Sequence, residues 1–204
     1  MIKAILFDFD GVLTVDATGS QSICNYVSKI TGVDKTLFTK EYKKFNKVLL
    51  NGSIKHEDIW ENICEAINFQ ISIEVLFDSF INTPMDIEMC KLVKKLKGNN
   101  YIIGMVTDNK KDRIDAIRDY HRFNNLFDEI TVSAEVGSGK EDKEIFLRTF
   151  KKLGVKANEC VFIDNTEKNL IVPNEMGIET IFYDHTERNI DKLLSQLKAL
   201  GIKL

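Results

Sequence analysis

The chain has 204 residues, 44% of them hydrophobic and 29% charged, with a formal net charge of −3. That length accommodates one main core carrying an insertion, and the composition excludes a disordered chain. The mildly acidic balance lacks the basic footprint of a nucleic-acid-binding protein, and no apolar run approaches the ~18 residues that cross a bilayer, so neither nucleic acid nor membrane is expected as a partner.

Taken in chain order, the first element is "KAILFD" (3–8), a short apolar run that reads as a buried strand. It resembles a signal sequence only superficially, because Asp8 and Asp10 interrupt it and no small-residue cleavage site follows. Residues 15–85 then show helical periodicity without a convincing strand. In "HEDIWENICEAI", Ile59, Trp60, Ile63, Cys64 and Ile67 form one apolar stripe, which makes Trp60 a core residue of a helical insertion. Four further strands are expected at "YIIGMVT" (101–107), "EITVSA" (129–134), "ECVFID" (159–164) and "ETIFY" (179–183). Helical patterns separate them: "IEMCKLVKKLKG" ends in lysines and Gly98, and "DKEIFLRTFKKLG" aligns Phe146, Phe150 and Leu153 before Gly154. Pro173 suits the first turn of another helix. The alternation predicts an α/β fold, a three-layer Rossmann-like parallel sheet.

Cys24, Cys64, Cys90 and Cys160 are far apart and outside any CxxC pair, so they read as buried thiols of a reducing, cytoplasmic protein. The pairs Lys43-Lys44, Lys94-Lys95, Lys110-Lys111 and Lys151-Lys152 are interleaved with acids and read as solvated helix faces. His56, His121 and His185 are expected at the surface or partly buried. Asp16, Thr18 and Ser20 serve as loop and cap residues, with a place in a cleft as the alternative.

The polar residues gather where the predicted strands end. Asp8 and Asp10 close the first, Thr107, Asp108 and Asn109 the second, and Asp164, Asn165 and Thr166 the fourth, while Lys140 lies in the loop after the third. Ligands of open parallel sheets bind at these ends. Several carboxylates in one water-poor place repel one another, and a hard divalent cation such as Mg2+, with oxygen ligands and a substrate phosphate, relieves the repulsion. Lys140 offsets further negative charge, Thr107 and nearby N–H groups suit phosphate oxygens, Asp8 is placed to attack phosphorus, and Asp10 to act as acid and base.

The motifs "DFDGVLT", "MVTDN", "GSGKEDKEIF" and "VFIDNTEKN" together resemble, in order and spacing, the four motifs of the haloacid dehalogenase superfamily, in the subfamily with a helical cap after the first strand. The resemblance implies a core of residues 1–14 and 86–204 and a cap of residues 15–85. It implies Asp8 as nucleophile and metal ligand, Asp10 as acid/base and metal ligand through its carbonyl, Thr107 and Lys140 as catalytic phosphate binders beside Asp108 and Asn109, and Asp164 with Asn165 on the metal. Relatives commonly carry two adjacent acids in the fourth motif, and asparagine at 165 brings an oxygen without a charge. In the third, Lys143 is a weaker alternative to Lys140. The implied function is a Mg2+-dependent phosphatase acting on a small phosphorylated metabolite through an aspartyl phosphate, as monomer or homodimer. A sugar phosphomutase or a catalytically weak phosphoryl- or metabolite-binding protein are the alternatives. Dehalogenating members generally lack an acid two residues after the nucleophile, so Asp10 argues for phosphate chemistry.

Overall fold

Apolar residues of alternating facing form the strands of the computed structural model, which describes residues 1–204. β1 (Ala4–Phe7), β2 (Ile102–Thr107), β3 (Glu129–Val132), β4 (Cys160–Asp164) and β5 (Glu179–Phe182) pair in the order β3-β2-β1-β4-β5, all parallel. The helices are α1 (Gly19–Thr31), α2 (Lys35–Lys43), α3 (Asn46–Leu50), α4 (Trp60–Ala66), α5 (Ile73–Ile81), α6 (Ile87–Gly98), α7 (Lys111–Tyr120), α8 (Ser133–Val136), α9 (Lys143–Leu153), α10 (Ile171–Glu175) and α11 (Ile190–Ala199).

Successive strand residues point to opposite faces and so build two apolar layers. Ile5 and Phe7 join one cluster that runs through α6 and α7 into the helical segment, reaching Phe38, Tyr42, Trp60 and Phe80. Ala4 and Leu6 join the other, with Ile145, Phe146 and Phe150 of α9. Each buried aromatic of this kind contributes about 1.5–3 kcal/mol relative to exposure. Trp60 sits in the first layer with its indole N–H donating to the Ile71 carbonyl at 2.8 Å, as its place in the apolar stripe predicts.

Residues 15–85 run from α1 to α5 without a strand. The two ends of this segment meet: Thr14 and Met85 form an antiparallel bridge, flanked by Val15 N–H to the Pro84 carbonyl at 2.8 Å and Asp86 N–H to the Leu13 carbonyl at 2.9 Å. Thr18 caps α1, Asp86 caps α6 and Asp142 caps α9, each by accepting a backbone N–H.

The third strand is shorter than the run "EITVSA" suggests, because Ser133 ends it and opens α8. The Ser133 hydroxyl donates to the Leu50 carbonyl at 2.8 Å and accepts the Asn109 N–H at 3.0 Å, so the chain turns there instead of extending. Pro173 falls at the third residue of α10, still within its first turn. All four cysteines are free; Cys24, Cys64 and Cys160 are buried, whereas Cys90 on α6 is partly exposed.

Candidate active site

Strand order brings the motifs together. β1 is central, flanked by β2 and β4, and Phe7 registers with Met105 on one side and Ile163 on the other. Asp8 therefore leaves the sheet level with the tips of both neighbours, and its N–H donates to the Ile163 carbonyl at 2.9 Å. This is the point where strand order reverses, the usual ligand crevice of such sheets. The chain then makes one wide helical turn, Phe9–Leu13, closed by Thr14 N–H on the Phe9 carbonyl. The turn requires Gly11 at φ +80°, and a Cβ there would lie 2.1 Å from the Asn165 amide nitrogen, so glycine also admits the β4 loop.

Two charge clusters stand at these tips. In the first, the Lys140 ammonium contacts Asp8 Oδ1 at 2.6 Å and Asp164 Oδ2 at 2.7 Å, with all three side chains buried. Asp108 Oδ1 accepts the Lys140 N–H at 3.0 Å and fixes the loop. Burial pushes the Asp8 carboxyl well above the ordinary carboxylate range, the Lys140 charge opposes this, and Asp164 adds repulsion. Burial works against the charge on Lys140, yet Asp164 and Asp8 together hold it above the ordinary lysine range. Asp8 Oδ1 also accepts the Phe9 N–H at 2.7 Å, while its Oδ2 accepts no hydrogen bond.

In the second cluster, Arg113 of α7 grips the Asp10 carboxylate with both terminal nitrogens, each at 2.9 Å. Arg113 is fully buried. Asn109 donates to Asp10 Oδ2 at 2.7 Å and to Thr107 Oγ1 at 3.2 Å, and accepts from Arg113 at 2.9 Å. Gly19 is the other wall, since a Cβ there would meet the Arg113 guanidinium at 2.4 Å.

The cleft above both clusters has a volume of about 180 Å3 and is lined by Asp8, Asp10, Thr107, Asp108, Lys140 and Asn165 from the strand tips, with Thr18, Ser20 and Asn46 opposite. Ser20 thus does line the cleft, while Asp16 stays outside it and accepts from Asn25 at 3.4 Å. Lys143 is exposed at the start of α9.

The residue-family profile of the haloacid dehalogenase-like hydrolases matches residues 2–177. The chain belongs to that family. This hydrolase is 26% identical over 178 residues to a sesquiterpene phosphatase of Aspergillus oryzae, covering 86% of this chain and 87% of the relative. It is 22% identical to a glyceraldehyde 3-phosphate phosphatase of Methanocaldococcus jannaschii, over 98% and 99% of the two chains. Among solved structures, a HAD family enzyme of Bacteroides thetaiotaomicron, crystallised with magnesium and inorganic phosphate, superposes with a TM-score of 0.70 at 21% identity, covering 89% of this chain and 94% of the other. That similarity establishes the shared α/β fold.

Several residues stand elsewhere than the sequence suggests. Asn109 is fully buried and its amide is spent on Asp10, Thr107 and Arg113; its N–H goes to Ser133, so it braces the Asp10 cluster and does not line the cleft. Lys110 is not on a solvated face: it is 3% exposed, and its ammonium donates to Ser20 Oγ at 3.0 Å inside the cleft. Burial, and then the neighbouring Arg113 charge, lower it to about 8. His56 is fully buried, joining Asp112 Oδ2 of α7 through Nδ1 at 2.7 Å and the Tyr42 hydroxyl through Nε2 at 2.7 Å. Arg113 escaped the sequence reading altogether. Its signal was the i, i+4 step from Asn109, which aims both back at the β2 tip.

No group of three or more His, Cys, Asp or Glu side chains forms a ready-made metal cage. What exists is two carboxylates, Asp8 and Asp164, sharing one ammonium, with the Asn165 side chain beside them donating to the Ala17 carbonyl at 3.3 Å through its nitrogen. Two carboxylates on one lysine leave an uncompensated negative charge, and few protein ligands of hard oxygen suit Mg2+, which keeps waters and takes substrate phosphate. Both side-chain oxygens of Asp10 are occupied by Arg113, which leaves its backbone carbonyl for a metal.

Proposed function

We propose that this hydrolase is a Mg2+-dependent phosphatase of small phosphorylated metabolites, working through an aspartyl phosphate on Asp8, with residues 15–85 as a cap over the cleft. The observation that carries the reading is the asymmetry of the Asp8 carboxylate. Oδ1 is fixed by the Phe9 N–H and Lys140, while Oδ2 accepts no hydrogen bond, and Asp8 lines the cleft. Held by one oxygen, the group keeps the other aimed, so part of the entropy of the attack is removed in advance.

In this scheme Asp8 Oδ2 attacks phosphorus and the bond to the leaving oxygen breaks. Lys140, already between Asp8 and Asp164, meets the charge that the phosphoryl oxygens bring, and the Thr107 hydroxyl donates to one of them. Asp10 supplies a proton to the leaving oxygen and removes one from the water that then cleaves the acyl phosphate. Asp8, Asp164, Asn165 and the Asp10 carbonyl are the residues that would hold Mg2+, which supplies charge neutralisation and orientation of the phosphoryl oxygens when bound. The small size of the cleft, below the ~300–1,000 Å3 of pockets that enclose drug-sized ligands, favours a small substrate. Ala17 and Leu50 are its only apolar side chains, which favours a polar leaving group over a prenyl chain.

The test is phosphate release from p-nitrophenyl phosphate and a panel of phosphorylated metabolites with Mg2+, with Asp8→Asn as the control. Asp8→Asn is expected to lower kcat by at least ~10^3-fold with the thermal transition retained. A folded Asp8→Asn protein of full activity would remove Asp8 as nucleophile, and absence of turnover by the parent protein on every ester would favour a binding role.

A further inference from the structure

One cation of the cleft is left over by this chemistry. Lys110 precedes α7, and its side chain runs into the space between the strand tips and the helical segment, where it is buried. An ammonium carries three N–H donors. One goes to Ser20 Oγ, the Tyr42 ring lies 5.9 Å away, and no carboxylate forms an ion pair with it. The carboxylates whose fields reach it are already committed, Asp10 to Arg113 and Asp112 to His56. Keeping a cation out of water without a counter-ion is costly, and the cost is recovered only when an anion arrives.

The surroundings of Lys110 indicate where that anion sits. Its neighbour Ser20 belongs to α1 and donates to Asn46 Oδ1 of α3 at 3.0 Å, so the three polar side chains form one chain across the cleft. Two of them come from the helical segment and face the strand tips, where Asp8, Thr107 and Lys140 lie. Beyond Asn46 an adjoining groove is lined by Lys43 and Lys47 together with Asp108 and Glu141, so the unbalanced cation of this region is Lys110 itself. The transferred phosphoryl group already has Lys140 and Thr107 for its charge. Lys110 therefore faces what the phosphoryl group is attached to.

We propose that Lys110, with Ser20 and Asn46, forms a subsite for a second anionic group on the alcohol portion of the substrate, so that the hydrolase selects small phosphate monoesters whose leaving alcohol bears a carboxylate or a further phosphate. The proposal rests on the phosphatase reading for the identity of the first group. It adds the class of the second.

Equilibrium binding to the Asp8→Asn protein in Mg2+ tests the proposal without turnover. The matched pair is 3-phosphoglycerate and glycerol 3-phosphate, which differ by a carboxylate against a hydroxymethyl group. Calorimetry is expected to give at least tenfold tighter binding of 3-phosphoglycerate. Lys110→Met in the same background is expected to abolish that preference and Lys110→Arg to keep it. A bisphosphate arm, propane-1,3-diol bisphosphate against its monophosphate, distinguishes a phosphate subsite from a carboxylate subsite. Equal binding within both pairs overturns the proposal with no variant needed, as does a Lys110→Met loss that is the same for charged and neutral alcohols, which would assign Lys110 to the transferred phosphate. In the Lys110-containing enzyme, the same preference is expected in KM rather than kcat. If both members of each pair bind with the predicted ratio but no ester is hydrolysed by the parent protein, the phosphatase reading fails and the subsite stands.

Discussion

The two charge clusters at the strand tips are built from the same residue types at the same end of the same sheet, yet they balance differently. Asp8 and Asp164 share a single lysine, whereas Asp10 has a guanidinium to itself and an amide besides. The first cluster keeps one negative charge in excess, which invites a cation and leaves Asp8 an unengaged oxygen. The second is neutral, saturated and fully buried on its Arg113 side. The carboxylate placed to attack is under-partnered, whereas Asp10, placed for proton transfer, is held in a bidentate fork that has to open at one oxygen before a proton can move.

The comparison breaks most visibly at Lys140. Lys140→Met leaves two buried carboxylates facing each other and removes the charge that meets the phosphoryl oxygens, and a loss of about 10^2–10^3-fold in kcat is expected. Added Mg2+ should raise the thermal transition of this variant more than that of the parent, because the ion is then the sole cation for Asp8 and Asp164. Equal stabilisation of both proteins by Mg2+ would show that the ion is not held by this cluster.

The saturated cluster predicts a cost in stability. Arg113→Met strands the Asp10 carboxylate beside Asn109, and a destabilisation of about 3–5 kcal/mol is expected in urea titrations. Arg113→Lys restores the charge without the planar fork and should recover only part of it. Arg113 also donates to Thr83 at 3.2 Å, next to the Pro84–Met85 exit of the helical segment, so the same variants should make that segment more susceptible to proteolysis. A loss below about 1 kcal/mol for Arg113→Met would mean that Asp10 finds other partners.

The difference between the clusters also marks what the sequence discloses. The sheet was legible because its strands are unbroken apolar runs, and the meeting of Asp8, Thr107 and Asp164 was legible because each closes such a run at a strand tip, with Lys140 in the loop after the third strand. The helical character of 15–85 followed from periodicity, as with Ile59, Trp60, Ile63 and Cys64. Arg113 and Lys110 were not legible, because "NKKDRIDAIRDY" reads as a polar, solvated helix and the two cations in it are buried by a segment more than 25 residues away in sequence. His56 was hidden for the same reason: one histidine has no period, and its partners Tyr42 and Asp112 lie 14 and 56 residues away. Apolar burial repeats along a chain, whereas the pairing of single charges is fixed only by the tertiary fold.

Asn165 separates the clusters more finely. Asn165→Asp would give the under-balanced cluster a further negative charge beside Asp8 and Asp164, and the Mg2+ concentration for half-maximal activity is expected to fall about tenfold, since ligand charge sets affinity for hard ions. Without Mg2+ the same variant should be slightly less stable than the parent, through like-charge repulsion. Unchanged Mg2+ dependence together with unchanged stability would place the side chain at 165 outside the metal's reach.

The smallest expected effect concerns a third balanced pair, His56 with Asp112, which ties the helical segment to α7. Burial lowers the imidazole below its ordinary value of 6.5, with the Asp112 hydrogen bond opposing, and His56 in turn helps hold the Asp112 carboxyl below its ordinary range although burial works the other way. A histidine depressed in the folded state binds its proton more readily in the unfolded chain, so the unfolded state gains as pH falls through 6.5 and stability declines there. The Asp112 contribution has the same sign, since a carboxyl held low in the folded state also loses its contribution as pH falls, but it is lost only below its own ordinary value of 3.8, so the two separate on the pH axis. The thermal transition of the parent should therefore fall between pH 7 and 5. His56→Gln keeps hydrogen-bonding groups near Tyr42 and Asp112 but cannot titrate; at pH 8 it is expected to cost about 1–3 kcal/mol through imperfect pairing. Its decline between pH 7 and 5 should be shallower than the parent's. Parallel curves for the two proteins would show that the acid sensitivity arises elsewhere, and would leave His56 as a packing residue whose charge state does not couple the helical segment to α7.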